Sequence, residues 1–333
     1  MQQDVELRQT PTADPGPAPS LAPLAEPLLS SGALTRLQSV SFLGALSPRY
    51  LRGGGPPVDE GSRFDHSVGV AGIALDVARH LHLGSAMERY AVAWGLLHDV
   101  ATWPLSHTSE PAFARITGVS SSALRRKIVL GDPALPGQLQ IQRELRDMGV
   151  VPSRLLALFE QAAPNDLPDR LFWQIIRSPI TPDTLEGMRR TGQAYGVAVP
   201  EPQQIWKGLG RTFFEVTVAR SVWSYLSMFW TAKSTIYAEH INRADIVRKE
   251  SQWSRAIEIA FAGTRLAETL ELNEDHVLRK VTQFELPHVA FTFRYKPPQR
   301  YFIGASQLPG SRARVELTAL PQVLKKQDLP VTQ

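Results

Sequence analysis

The chain has 333 residues and a net charge of +4, enough for one large domain or one domain with an appendage. It contains no cysteine, which excludes disulfides, thiolate metal sites and cysteine nucleophiles. No dense Lys/Arg block, secretory signal or apolar run of roughly 18 residues is present, so a cytoplasmic enzyme or binding protein without nucleic-acid or membrane partners is expected.

In chain order, residues 1–28 are rich in Pro, Ala and Ser and read as a disordered leader. Ordered sequence is expected to start near "LLSSGALTRLQSVSFLGAL", followed by a Gly/Pro loop, "YLRGGGPPVDEGSRF". "SVGVAGIALDVARHLHL" and "MERYAVAWGLLHD" repeat apolar residues at helical spacing, and Pro104 lies just beyond the second. "PSRLLALFEQAA", "LFWQIIRS" and "PDTLEGMRRTGQAYG" continue the pattern, the last with Pro182 in its first turn and Gly196 at its exit. The segment from "TFFEVTVARSVWSYLSMFW" to "HINRADIV" has neither Pro nor Gly and reads as one or two core helices. From residue 276 to 333 the character changes. "HVAFTFRYK", "RYFIGAS" and "RARVELTAL" alternate or are β-branched. The expected fold is therefore mainly α, a helical domain over 29–275 with a small sheet-containing C-terminal appendage.

Four residues concentrate metal chemistry. His66 lies where the Gly/Pro loop meets a helix, His98 and Asp99 end a helix, and Asp183 opens another. Two imidazoles and two carboxylates from helix ends can enclose one divalent ion. Successive residues on a regular helix point about 100° apart, so adjacent ligands need a helix end, and "HDVATWP" supplies one. A two-nitrogen, two-oxygen set with open positions suits Mn, Fe, Co, Ni, Zn or Mg. His80 and His82 read as helix-end residues and His240 as a partly buried helix histidine, while Arg189 reads as solvated.

"SRFDHSVGV", then "LLHDVATWPLSH", then "ITPDTLEGMRRTGQAYGV" resemble, in order and spacing, the HD-domain superfamily of metal-dependent phosphohydrolases. Within it they are most similar to the deoxynucleoside triphosphate triphosphohydrolase branch, which includes the sterile-alpha-motif HD enzymes. "LTRLQSVSFLGAL" resembles the segment that opens the family core, and "TIYAEHINRADIV" a later family helix. The likeness covers roughly residues 30–260. It implies an HD-type helical core in which His66, His98, Asp99 and Asp183 hold one divalent metal ion. It also implies that Arg63 lies near the substrate phosphates and that His107 lines the site. Arg36, Phe42, Thr102, Gly187 and Arg190 fall along the implied substrate wall. His107, Arg63 and Asp99 are the implied catalytic set, and a homo-oligomer is the implied assembly.

The departures from the family pattern are as informative. Thr102 stands in place of a histidine, Thr184 of a lysine, Gly187 of a tyrosine, Thr191 of an aspartate and Phe42 of a glutamine. A later His-Glu pair falls in "SSSALRRKIV", which has no histidine. The metal set is retained while the nucleotide-reading shell is replaced. The resulting expectation is a metal-dependent phosphohydrolase acting on a phosphorylated small molecule such as a nucleotide, through a metal-activated water. The alternative is a catalytically degenerate member that binds metal or nucleotide in a regulatory or scaffold role. A di-metal oxygenase needs more ligands than the sequence offers.

Overall fold

Leu21, Ala25 and Leu28 recur at three- and four-residue spacing, and all three are at most 1% exposed in the computed structural model. Ala25 and Leu28 lie on helix α1 (Ala22–Leu29), and Leu21 caps its start. The structure describes residues 21–51, 60–160, 162–283, 301–303 and 315–317. The leader expected over 1–28 therefore ends sooner, because residues 21–28 are part of the core; residues 1–20 lie outside the described residues. Deleting residues 1–28 is expected to cost about 4 kcal/mol or more, since each buried leucine alone contributes about 2–5 kcal/mol. An unchanged melting curve of the truncated protein would refute the packing of α1.

Helix α2 (Arg63–His80) opens on a reciprocal cap. The Ser62 hydroxyl accepts the Asp65 amide, and the Asp65 carboxylate accepts the Ser62 amide, which satisfies two otherwise orphaned donors. Helix α3 (Ser85–Leu97) lies against α2. The approach is so close that a Cβ on Gly95 would sit 2.5 Å from the Ala71 Cα, and only glycine fits there. Small buried residues, Ala71, Ala74 and Ala78 on one helix and Ala91 on the other, permit this contact.

Around this pair lie α4 (Glu110–Thr117), α5 (Ser121–Leu130), α6 (Pro152–Phe159), α7 (Leu167–Ile176) and α8 (Pro182–Tyr195). Helix α8 packs on α2 with Thr181 as its N-cap, Pro182 in its first turn and Gly196 in the left-handed conformation at its exit. The protein is mainly α.

Residues 212–218 depart from the helical expectation. Strands β1 (Leu209–Arg211) and β2 (Val216–Val218) pair antiparallel, Leu209 opposite Val218 and Arg211 opposite Val216. The Thr212 hydroxyl accepts the amides of Phe214 and Glu215 at the turn. β-Branched Val216, Thr217 and Val218 favour the strand, and Gln174 pins it by accepting the Val216 amide. Helix α9 begins only at Trp223 and runs to Ile236, burying Leu226, Phe229 and Trp230. A π-helical turn, Tyr237–Ile241, leads to α10 (Ala244–Ala260).

The expected boundary at 275/276 also shifts, because α11 (Glu274–Val281) crosses it and buries Val277 and Val281 in the core. Beyond it, β3 (Tyr301–Ile303) and β4 (Val315–Leu317) pair antiparallel. "HVAFTFRYK" lies outside the described residues. Among the described residues no helix is long and apolar enough to cross a membrane.

Candidate metal centre

The reciprocal cap on α2 sets His66 one turn into that helix, facing α8. Helix α3 ends at Leu97, leaving His98 as its cap and Asp99 in the turn beyond. Asp183 occupies the first turn of α8. The fold brings these ends together. His66 Nε2 is 3.1 Å from Asp183 Oδ1 and 3.2 Å from His98 Nε2, and His98 Nε2 is 3.7 Å from the same Asp183 oxygen. Metal–ligand bonds of about 2.0–2.2 Å place neighbouring ligand atoms about 3.0 Å apart in an octahedron and about 3.4 Å apart in a tetrahedron. The observed separations of 3.1, 3.2 and 3.7 Å lie within about 0.3 Å of one or the other value. Asp99 stands at the edge of the group, its Oδ2 being 3.5 Å from His98 Nε2 and 3.9 Å from His66 Nε2.

The outer atom of each imidazole is committed. His98 Nδ1 donates to the Gly95 carbonyl at 2.7 Å, and His66 Nδ1 donates to the Glu186 carboxylate. A carbonyl and an ionised carboxylate can only accept, so each Nδ1 keeps its proton and each Nε2 is the atom turned to the centre. Burial alone would push the His66 pKa down, but Glu186 and Asp183 outweigh it and raise it to about 9. Asp183 and Glu186 are held at about 2 although burial opposes it, chiefly by His66 together with His98 or Arg190 respectively. Asp99 is likewise held well below the usual range, against burial, by His98 and Arg63. This converging negative charge fits a divalent cation, which would take the place of the proton that His66 Nε2 carries toward Asp183.

Glu186 is the functional residue that the sequence reading missed. It is 1% exposed and accepts from His66 Nδ1, from Arg190 Nε at 3.0 Å and Nη2 at 2.7 Å, and from Arg189 Nη2 at 3.2 Å. Arg189 is thereby tied to a carboxylate and not simply solvated. Gly69 makes the room, since a Cβ there would stand 2.7 Å from the Glu186 Cγ. The available signal was local: Glu186 lies three residues after Asp183 and four before Arg190, so all three share one face of α8.

The implied substrate residues divide. Arg63 is 4% exposed and spends its guanidinium on Asp99 Oδ2 at 2.7 Å and on the Ser106 hydroxyl at 2.9 Å. Arg36 belongs to the scaffold. It donates to the carbonyls of Val100 and Thr102, fixing the turn after Asp99, and burial lowers its pKa only to about 10. Arg190 is buried against Glu186 and the Glu60 carbonyl. Both therefore position the centre from behind and leave the substrate wall. Phe42 is buried against the His66 ring, 4.7 Å between centroids, with the Arg63 guanidinium over its face. Gly187 sits beside the same two rings, and a Cβ there would be 3.6 Å from each.

His98, Asp99, Thr102, His107 and Asp183 line a cavity of about 290 Å³. His107 follows Leu105 and Ser106, two non-glycine residues in the left-handed conformation. Each such residue costs about 1–2 kcal/mol. Leu105 is held there by the Glu274 carboxylate on its amide. His107 Nδ1 pairs with Glu110 Oε2 at 3.0 Å, and that bond foremost lowers the Glu110 pKa against burial. Glu110 is a second residue the sequence reading missed. Among the other histidines, His80 is the last residue of α2 and bonds the Leu209 carbonyl, and His240 stacks on Tyr195 at 4.3 Å.

No protein-family model matches the chain, and no curated protein matches it. A solved structure does. The chain is similar to a hypothetical protein from Aquifex aeolicus, with a TM-score of 0.64 and 19% identity over 79% of this chain and 68% of that one. At that identity the likeness shows the fold alone.

Proposed function

We propose that this protein is an HD-type metal-dependent phosphohydrolase acting on a phosphorylated small molecule. The observation that carries the reading is the convergence of His66 Nε2, His98 Nε2 and Asp183 Oδ1 within 3.1–3.7 Å of one another at the edge of a polar cavity. A divalent ion held there, with Asp99 beside it, would polarise a phosphoryl oxygen and lower the pKa of a water. Arg63 keeps the Asp99 carboxylate turned toward the centre, and Glu186 keeps the His66 tautomer. Hydrolysis adds water across a P–O bond, and the leaving oxygen needs a proton. His107, which lines the cavity with its Nδ1 turned to Glu110, is the side chain placed to supply it from Nε2. Metal content measured together with phosphate release over a broad panel of esters tests the reading. A bound metal with no turnover of any ester would favour the regulatory alternative, to which the internal commitment of Arg36, Arg63 and Arg190 lends support.

Deoxynucleoside triphosphates are expected to be poor substrates. Phe42 is closed in by rings and guanidinium groups, Gly187 carries no side chain, and the Thr184 hydroxyl is paired with Thr181. Each missing polar or charged contact costs about 1–3 kcal/mol, so turnover should fall by orders of magnitude relative to phosphomonoesters. Rapid release of triphosphate from all four dNTPs in a side-by-side manganese assay would reject this assignment of the substrate wall.

A further inference from the structure

Two further arginines line the same cavity: Arg125 on α5 and Arg177 just past α7. Both are anchored around Phe159. Arg125 lies over the Phe159 ring at 4.5 Å, and Arg177 Nη2 donates to the carbonyls of Phe159 and Glu160. Arg125 Nη1 also donates to the backbone carbonyl of His98 at 2.6 Å, which fixes this guanidinium relative to a residue of the metal centre. Each group still has Nε and one terminal nitrogen to offer, out of five N–H donors.

The carboxylates on the cavity wall are already engaged. Asp99 pairs with Arg63, Asp183 with His66, and Glu110 with His107 and the Ser121 hydroxyl. Among the described residues neither Arg125 nor Arg177 forms an ion pair with any of them. Asp99 and Glu110 attract Arg125 from beyond ion-pair distance while Arg177 repels it, and an anion held by both guanidinium groups relieves that repulsion. The charged residues on the wall are three carboxylates and two guanidiniums. A divalent cation turns this net charge of −1 into +1, which suits a dianionic ligand. The volume of about 290 Å³ lies at the lower end of the range for ligand pockets, about 300–1,000 Å³.

We propose that Arg125 and Arg177 form the anion subsite of this cavity and that its ligand is a compact phosphate monoester gripped through its phosphoryl oxygens. The identity of that ligand as a substrate rests on the phosphohydrolase reading; the binding of the anion does not. The test is calorimetric titration of inorganic phosphate into the full-length protein, once with manganese and once with chelator. In whichever condition the wild type binds, the double variant Arg125→Gln/Arg177→Gln should bind about tenfold more weakly or worse. The single variant Arg177→Gln should keep its metal content unchanged, since among the described residues Arg177 bonds only the Phe159 and Glu160 carbonyls. Arg177 is exposed, so Arg177→Gln alone tests the subsite without endangering the fold and should weaken binding by about threefold or more. Equal phosphate affinity in the wild type and the double variant would overturn the proposal, as would a wild type that binds no phosphate in either condition. Arginine-dependent phosphate binding by a protein that takes up no metal would support the subsite and reject the phosphohydrolase reading alone.

Discussion

Replacement of His66, His98 or Asp183 by alanine is expected to leave the purified protein with almost no bound divalent ion. Each contributes an atom to the group spanning 3.1–3.7 Å, and a mononuclear site with few protein ligands does not tolerate the loss of one. The three variants should not behave alike in stability. His66 is 1% exposed and packed at a tilt against Phe42, so its removal leaves a hole and strips Glu186 of a partner. The Asp183 side chain is about half exposed, at 49%, and its removal should leave the fold nearly unchanged. Asp183→Ala is therefore the cleanest variant, and elemental analysis is the measurement. Full metal occupancy in all three variants would dismiss the centre.

Glu186→Ala should be the most damaging single substitution in the α2–α8 contact. The carboxylate serves one imidazole and two guanidinium groups from a position that is 1% exposed. Without it Arg190 becomes a buried cation that keeps the Glu60 carbonyl but has lost its carboxylate. Breaking a buried pair in this way costs about 3–5 kcal/mol. Losing the partner of a metal-ligating histidine lowers metal affinity by about 10–100-fold. Glu186→Gln separates the two effects. It keeps the volume and one acceptor oxygen, so it should fold and show the affinity loss with a smaller stability loss. Denaturant unfolding of both variants, paired with metal titration, decides the matter. A Glu186→Ala protein within about 1 kcal/mol of wild type would show that Arg190 finds other partners.

Local rules placed the helices well. The apolar period of α2 and α3, and Pro182 and Gly196 around α8, all act within a few residues, and sequence alone displays them. The Thr212–Val218 segment was misread because it holds neither Pro nor Gly. The turn made by the Thr212 hydroxyl and the anchoring by Gln174 from α7 outweighed the aromatic run that follows. The start of α1 was missed because prolines and alanines read as a leader, whereas a helix with Pro in its first turn can still bury Leu21 and Leu28.

The sequence by itself determined which residues had metal-binding chemistry to offer and that His66, His98, Asp99 and Asp183 stand at or near helix ends, because residue type and helix termination are written locally. Only the tertiary structure decided what each charged group spends itself on. Arg36 turned to backbone carbonyls 64 and 66 residues away, Arg63 to Asp99 and Arg190 to Glu186, while Arg125 and Arg177 came to one cavity from different helices. A guanidinium looks the same in sequence whether it clamps a turn, orients a carboxylate or waits for an anion. The choice follows from which acceptors the packed helices bring within about 3 Å and which of them water can no longer reach.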